Sequence, residues 1–153
     1  YEGKINSLKT LNQTPQLMEC YQSLLKLDPK NTSLYLELGS LQEQLNQHQQ
    51  AINSYNQAIQ IDPQDIWPYY SRAAAEKALG QYDNVLITFD NIIEVAPGEL
   101  LAYINKAILL KQLGRYSQAL ECCDRVIELK ADAKDVVALR EEIEKKIEET
   151  PSM

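Results

Sequence analysis

The residues of this chain recur with a period of 34. The markers of the period are four tyrosines and three prolines: Tyr1, Tyr35, Tyr69 and Tyr103, with Pro29, Pro63 and Pro97. A fixed period of this length indicates a small folded unit that stacks on copies of itself, because one copy alone cannot bury its apolar face. In such arrays the functional surface is usually built from several repeats and is not a single catalytic pocket.

The copies run over residues 1–31, 32–65, 66–99 and 100–133, and each predicts two helices. Apolar residues recur at steps of three and four, as on one face of an α-helix. A column of Asn46, Gly80 and Gly114, with Asn12 in the incomplete first copy, predicts a left-handed residue that ends the first helix. Asp83 and Ser117 are then expected to cap the second helix. The prolines end each copy, since proline cannot continue a helix interior.

Small residues stand at one column of the first helices, namely Gly39, Ala73 and Ala107. We expect them to face the column of the second helices that holds Ala51, Val85 and Ala119. Small side chains on both helices allow the close approach that a compact helical hairpin requires.

This pattern resembles the tetratricopeptide repeat. The matching residues include Tyr35, Gly39, Ala51, Tyr55 and Pro63 in the second copy, Tyr69, Ala73, Gly80, Phe89 and Pro97 in the third, and Tyr103, Ala107, Gly114 and Ala119 in the fourth. The resemblance implies an all-α, right-handed superhelical solenoid of antiparallel helix pairs, forming a single array over residues 1–149. We expect residues 134–149 to form a C-terminal capping helix, because terminal repeats need a polar outer face, and residues 150–153 to be a tail.

Composition excludes several kinds of partner. The net charge is −7, whereas binding to a nucleic-acid backbone needs clustered lysine and arginine. No stretch approaches the roughly 18 consecutive apolar residues that a membrane-spanning helix requires. The chain begins with Tyr1, partway into a repeat, so we expect it to be a fragment of a longer protein.

No pattern of catalytic, cofactor-binding or metal-binding residues is present. The cysteines are Cys20, Cys122 and Cys123, whose spacing matches no zinc or redox motif. They are expected to be small buried residues in a reducing compartment, the cytoplasm. His48 is the only histidine and is expected to pack in a turn. The sequence therefore predicts a protein without catalytic activity, metal or cofactor.

The resemblance implies that the first helix of each repeat lines a concave groove. The residues expected to bind there are Leu36, Trp67, Tyr70, Lys77, Leu101, Ile104, Ile108 and Lys111. Tryptophan and tyrosine are enriched at binding hot spots, so we expect a partner peptide or helix with apolar anchors to dock between residues 66 and 112. Lys77 and Lys111 would favour an acidic flank on this ligand. The alternative is that Trp67 packs on the preceding helix or turn and the isoleucines contact the neighbouring repeat.

Some proteins of this family grip the acidic C-terminal tail of heat-shock chaperones with a clamp of lysine, asparagine and arginine. The matching positions in copies two to four hold Leu36, Ser40, Ser71, Leu101 and Asn105, and those in copies one to three hold Glu2, Asn6, Glu37, Trp67 and Ser71. Because neither set contains a cation, we expect no binding to a chaperone tail.

Two further functions remain open at this point. The array could self-associate as a structural scaffold, since the incomplete first copy is expected to expose Ile5, Leu8 and Leu11. It could also be the recruiting arm of a larger enzyme.

Arg72 and Lys106 occupy equivalent columns of successive copies, and we expect each to place its charge in solvent.

Overall fold

The computed structural model describes residues 2–10, 13–130 and 132–150, and these form nine α-helices and no strand. The helices are α1 Glu2–Thr10, α2 Thr14–Leu27, α3 Thr32–Gln44, α4 His48–Ile61, α5 Trp67–Ala78, α6 Tyr82–Val95, α7 Leu100–Gln112, α8 Tyr116–Leu129 and α9 Lys134–Glu149. Each predicted copy holds two of them, and α9 follows the fourth. The all-α helical-repeat fold predicted from the period is therefore confirmed. Tyr1, Leu11, Asn12 and residues 151–153, on which some expectations fall, lie outside the described residues.

A left-handed residue ends the first helix of each complete repeat. Asn46, Gly80 and Gly114 have φ angles of 57°, 71° and 72°. After Asn46 the chain turns back, and the Gln47 N–H donates to the Gln42 carbonyl oxygen at 2.8 Å. This hydrogen bond satisfies a carbonyl that the helix end leaves open. The predicted helix ends are confirmed at these three turns.

The expected caps of the second helices are wrong. Helix α6 begins at Tyr82 and α8 at Tyr116, so Asp83 and Ser117 lie inside the first turn and not before it. The residue that precedes α8 is Arg115, whose side chain makes no capping hydrogen bond. Each helix begins two residues after the left-handed residue, so the capping position falls two residues before Asp83 and Ser117. Asp83 still stabilises α6, because a carboxylate in the first turn interacts favourably with the positive end of the helix dipole.

The chain divides into two compact units, Tyr1–Val85 and Leu86–Met153, with the border inside α6. In the first unit, consecutive helices from α1 to α5 pack on one another. Its largest described cluster of buried residues joins α1, α2 and α3: Ile5, Leu17, Cys20, Tyr21, Leu25, Leu38 and Leu41. A second cluster joins α4 to α5: Ala51, Ile52, Tyr55 and Ala75.

Gly39 lies against an aromatic ring. A methyl group at this position would be 2.4 Å from Cε1 of Tyr55, and the nearest atoms all belong to that ring. The need for a small residue at Gly39 is therefore confirmed, and its nearest neighbour is Tyr55, on the same helix as the expected partner Ala51. A helical position that meets a large buried ring has no space for a side chain.

In the second unit, α7 packs on α8, and α8 packs on α9. The buried residues of these helices are Ala102, Tyr103, Ala107, Leu109, Leu110, Ala119, Cys122, Cys123, Val126, Val136 and Ile143. Val136 and Ile143 place one side of α9 in this core. The other side carries charged residues such as Glu141 and Lys145, which are exposed, as expected for the last helix of an array.

Candidate functional site

Helix α5 presents two aromatic rings at its start. Trp67 is 68% exposed, and its ring centroid lies 6.1 Å from that of the half-buried Tyr70. The backbone here is well fixed, because the Trp67 N–H donates to Oδ1 of Asp65 at 3.1 Å and Pro68 is buried in the first turn. A proline at this position is already shaped for the first turn of a helix. The rings therefore project from a rigid helix end, and Trp67 does not pack into the protein as the alternative interpretation required.

Lys77 lies on the same stripe of α5 as the two rings. Trp67, Tyr70 and Lys77 follow one another at three and seven residues, a spacing that keeps them on one side of a helix. Lys77 is exposed, and no ion pair with it occurs in the described part of the chain. Its charge is thus available to a ligand.

Helix α7 of the second unit presents an apolar stripe with a different charge environment. Leu101 is 58% exposed, Ile108 is partly exposed, and Ile104 is half-buried between them along the helix. At the end of the stripe, Nζ of Lys111 lies 2.9 Å from Oε1 of Glu142, which belongs to α9. Lys111, which was expected to favour an acidic flank on the ligand, thus faces a carboxylate of the protein itself.

Leu36, the remaining predicted site residue, serves the interior of the first unit. It is half-buried and packs against the cluster that joins α4 to α5. A side chain held in this way contributes to helix packing, and only its outer part is accessible to a partner.

Arg72 and Lys106 each bind a side chain of the preceding helix, Arg72 in a partly buried contact and Lys106 in an exposed one. Nη1 of Arg72 donates to Oδ1 of Asn56 at 2.9 Å, and its guanidinium group lies 5.4 Å from the centre of the Tyr69 ring. Lys106 pairs with Asp90. In both cases the partner lies on the helix before, 16 residues earlier. These cations link successive helices and are occupied within the protein.

Sequence reasoning missed a polar depression between α3 and α4. It has a volume of about 240 Å³. The lining residues are Tyr35, Gln42, Gln50, Asn53, Ser54 and Gln57. The glutamine-rich stretch that begins at Gln42 was visible in the sequence, but its pattern indicated only a polar helix end and turn.

The described residues show no arrangement for metal or redox chemistry. Among them, no group of three or more histidine, cysteine or acidic residues could hold a metal ion. All three cysteines are buried as free thiols. Burial raises the pKa of Cys122, and it raises that of Cys123 to about 11, with a further contribution from Cys122 and Asp124. A thiol with a raised pKa is a poor nucleophile at neutral pH.

His48 lies at the start of α4, at the turn where the sequence placed it. Its Nδ1 atom is buried, makes no hydrogen bond to any residue that the structure describes, and is 3.8 Å from Oε1 of Glu43. Across the described ranges, the structure has no helix of the length and apolarity that crossing a bilayer demands.

Comparison with known families identifies the repeats. The family model of the TPR repeat matches residues 43–80, and two models of the tetratricopeptide repeat match residues 20–53 and 101–132. A comparison of the sequence with curated proteins finds no match.

Solved structures share this fold, and their matches cover most of the chain. A tetratricopeptide repeat protein from Parabacteroides merdae ATCC 43184 is 20% identical with a TM-score of 0.77, and the match covers 96% of this chain and 60% of that one. YrrB, a TPR protein with an unusual peptide-binding site, is 17% identical with a TM-score of 0.68 (94% and 74% covered). The first TPR of Spaghetti (RPAP3), bound to the HSP90 peptide SRMEEVD, is 17% identical with a TM-score of 0.62 (76% and 92% covered). At these identities the likeness concerns the fold.

Proposed function

The chain belongs to the tetratricopeptide repeat family, and on that premise we propose that it is a non-catalytic module that binds a peptide segment of a partner protein. Two of its structural neighbours support a role in protein interaction, since Spaghetti is bound to an HSP90 peptide and YrrB has a peptide-binding site. Fold alone does not specify a ligand. The chemistry of the exposed first helices must therefore indicate what is bound.

The observation that carries the proposal is the exposure of Trp67 beside Tyr70. A tryptophan that is 68% exposed leaves a large apolar area in water. Covering apolar surface is favourable by about 25 cal/mol for each Å². The ring pair stands on a helix start whose backbone is held by Asp65 and Pro68. Binding to a rigid surface loses little conformational entropy. An apolar side chain of the partner is the group best suited to cover these rings.

Lys77 adds a requirement for charge. It lies seven residues after Tyr70, which corresponds to about 10.5 Å along a helix with a rise of 1.5 Å per residue. An extended peptide advances about 3.3–3.6 Å per residue, so its acidic group would lie about three residues from its apolar anchor. The proposed ligand of the first unit is therefore an extended segment with an apolar residue and a carboxylate in this spacing.

The second unit offers a surface of its own. Leu101, Ile104 and Ile108 form the apolar stripe of α7, and Lys111 at its end is paired with Glu142. We propose that this stripe also contacts apolar groups of a partner, while Glu142 reduces its preference for acidic ones. Leu36 contributes only through its accessible part.

A displayed random-peptide library tests the proposal. We expect the selected peptides to carry an apolar residue and an acidic residue three positions apart, and to shift the fluorescence of Trp67, the only tryptophan. Trp67→Ser should abolish their binding. Leu27→Ser is the matched control, because Leu27 is 73% exposed but lies at the end of α2. Equal effects of the two substitutions would count against a site on α5.

Charge variants test the role assigned to each lysine. Lys77→Gln should weaken the selected acidic peptides and reduce the salt dependence of their binding, since an exposed attraction is screened by salt. Lys111→Gln should have a smaller effect, because Glu142 already neutralises Lys111. The opposite order would show that the acidic group is bound at α7.

Self-association is the competing function, and one residue that favoured it is now placed. Ile5 is buried in the cluster of the first unit, so the expectation that it is exposed is wrong. The side chain of Leu8 and the whole of Leu11 lie outside the described residues. Light scattering over a range of concentrations distinguishes the two functions, and the expected result for a peptide-binding module is a constant mass.

We also propose the cytoplasm as its location, because its three cysteines are buried thiols.

A further inference from the structure

The depression between α3 and α4 has an uncharged lining throughout. Its buried part is formed by Gln42 and Ser54, which are 7% and 6% exposed. The Ser54 hydroxyl donates to Oε1 of Gln42 at 2.7 Å. The amides of Gln50, Asn53 and Gln57 form an exposed rim on α4. Polar hydrogen-bonding groups therefore extend from the surface to the bottom of the depression.

The repeat scaffold does not need a polar pair at this place. The equivalent positions of the fourth repeat, 68 residues further along the chain, hold Leu110 and Cys122, which are both buried. An apolar pair avoids the cost of taking polar groups out of water, a cost that a hydrogen bond only offsets. The fourth repeat thus packs with two apolar residues, whereas the third holds the buried polar residues Glu76 and Thr88 in these places. The scaffold therefore accepts a polar pair here but does not require one.

The polar pair of the third repeat has a cation beside it, and that of the second repeat does not. In the third repeat the equivalent of Gln42 is Glu76, whose Oε1 lies 3.5 Å from Nε of Arg72. The second repeat has the buried Leu38 in the place of Arg72. Ser54 is the one side-chain hydrogen-bond partner that the described residues supply to Gln42. Because that bond uses the amide oxygen, the amide N–H groups at the bottom of the depression remain to bind a ligand.

The lining selects an uncharged ligand with both donors and acceptors. Helix α4 contains no aspartate, glutamate, lysine or arginine, so a charged group would lose its hydration without gaining a partner. Glutamine and asparagine each present a donor and an acceptor side by side. A peptide backbone presents the same two groups in every residue.

The spacing of the rim also fits a peptide. Gln50, Asn53 and Gln57 lie on one side of α4 and span about 10.5 Å, which is the length of about three extended residues. We propose that this depression is a second binding site, which takes an extended, uncharged peptide segment through its backbone amides. The site belongs to α3 and α4 and uses none of the α5 residues that carry the proposed function.

Nuclear magnetic resonance of the ¹⁵N-labelled chain tests the site directly. The probe is an acetylated and amidated peptide of alternating serine and glutamine, so that neither its ends nor its side chains are charged. We expect it to shift the side-chain NH₂ signals of Gln42, Gln50, Asn53 and Gln57. Shifts confined to other residues, or equal shifts with an uncharged oligosaccharide such as maltose in place of the peptide, would overturn the proposal.

A variant that copies the fourth repeat separates binding from folding. Gln42→Leu combined with Ser54→Cys reproduces the apolar pair that this scaffold already accommodates, so we expect the same melting temperature or a higher one. Its affinity for the probe should fall about tenfold or more, as expected when a buried hydrogen-bond partner is lost. Unchanged affinity in this folded variant would contradict the proposal.

One rim variant and a matched control on the same helix keep the test decisive if the core variant does not fold. Gln57→Lys places a charge on the lining and should weaken binding, whereas Gln60→Lys, on the same helix but outside the lining, should not. Trp67→Ser should leave the NH₂ shifts intact. If Trp67→Ser removes these shifts, the two sites are not separate and the proposal is contradicted. If the library selects no peptide that binds at α5 while the probe still shifts the NH₂ signals, only the proposed function is contradicted.

Discussion

The hydroxyl group of Tyr69 donates a hydrogen bond to the carbonyl oxygen of Pro63 at 3.2 Å. Tyr103 and Pro97 make the same bond, also at 3.2 Å, one period later. The proline lies just after the second helix of one repeat, where its carbonyl has no partner within a helix. The tyrosine lies in the first helix of the next repeat and is buried, so its hydroxyl needs a partner too. The two residue types that mark the period thus join consecutive repeats.

Removal of one such hydroxyl is expected to destabilise the chain. Tyr69→Phe keeps the buried ring but leaves the Pro63 carbonyl without its donor, and we expect the free energy of unfolding to fall by about 0.5–1.5 kcal/mol. Urea unfolding followed by circular dichroism measures this change. Tyr82→Phe is the control, because Tyr82 is 41% exposed and should change stability little. Equal stability of the two variants would show that the Tyr69 bond contributes nothing.

Gly39→Ala is expected to destabilise the chain, although alanine is the better helix former. The gain in helix propensity is about 0.5–1 kcal/mol, but the new methyl group would be 2.4 Å from Cε1 of the buried Tyr55. Overpacking of this kind costs about 1–3 kcal/mol, so the clash should outweigh the gain. Gly3→Ala provides the comparison, since Gly3 is helical and meets nothing within 4 Å. A more stable Gly39→Ala protein would show that the ring moves aside freely.

Alkaline pH is expected to destabilise the second unit through Cys123. Burial, with a contribution from Cys122 and Asp124, raises the pKa of this thiol from about 9 to about 11. Between these values the unfolded chain loses the thiol proton while the folded chain keeps it, which favours unfolding. The free energy of unfolding should therefore fall from pH 9 to pH 11. In Cys123→Ala the fall should be shallower, and an identical slope in both proteins would assign it to other groups.

The chaperone peptide SRMEEVD, which Spaghetti binds, is expected not to bind at micromolar concentration. The positions that would form a carboxylate clamp hold Leu36, Ser40, Ser71, Leu101 and Asn105. A cluster of peptide carboxylates finds no cation among these residues, so its dehydration is not compensated. Fluorescence anisotropy with the labelled peptide measures the affinity. A dissociation constant in the micromolar range would contradict this prediction.

The candidate site was only partly predictable from the sequence. Trp67 and Leu101 could be named because the resemblance to the tetratricopeptide repeat implies which side of each first helix faces a partner. The pairing of Lys111 with Glu142 could not, because these residues are 31 positions apart and meet only when α9 packs on α8. The depression at Gln42 was missed for the same reason, since its lining comes from two helices.

The sequence alone determined the repeat, the helices and their turns. These features depend on local rules, because helix periodicity and the freedom of Asn46, Gly80 and Gly114 to adopt positive φ act within a few residues. The tertiary structure decided which charges are paired, since Lys77 and Lys111 occupy corresponding columns but, among the described residues, a carboxylate lies within ion-pair distance of Lys111 alone. It also decided that Gly39 faces Tyr55. Such contacts depend on the distances between side chains of different helices, which a linear pattern does not specify.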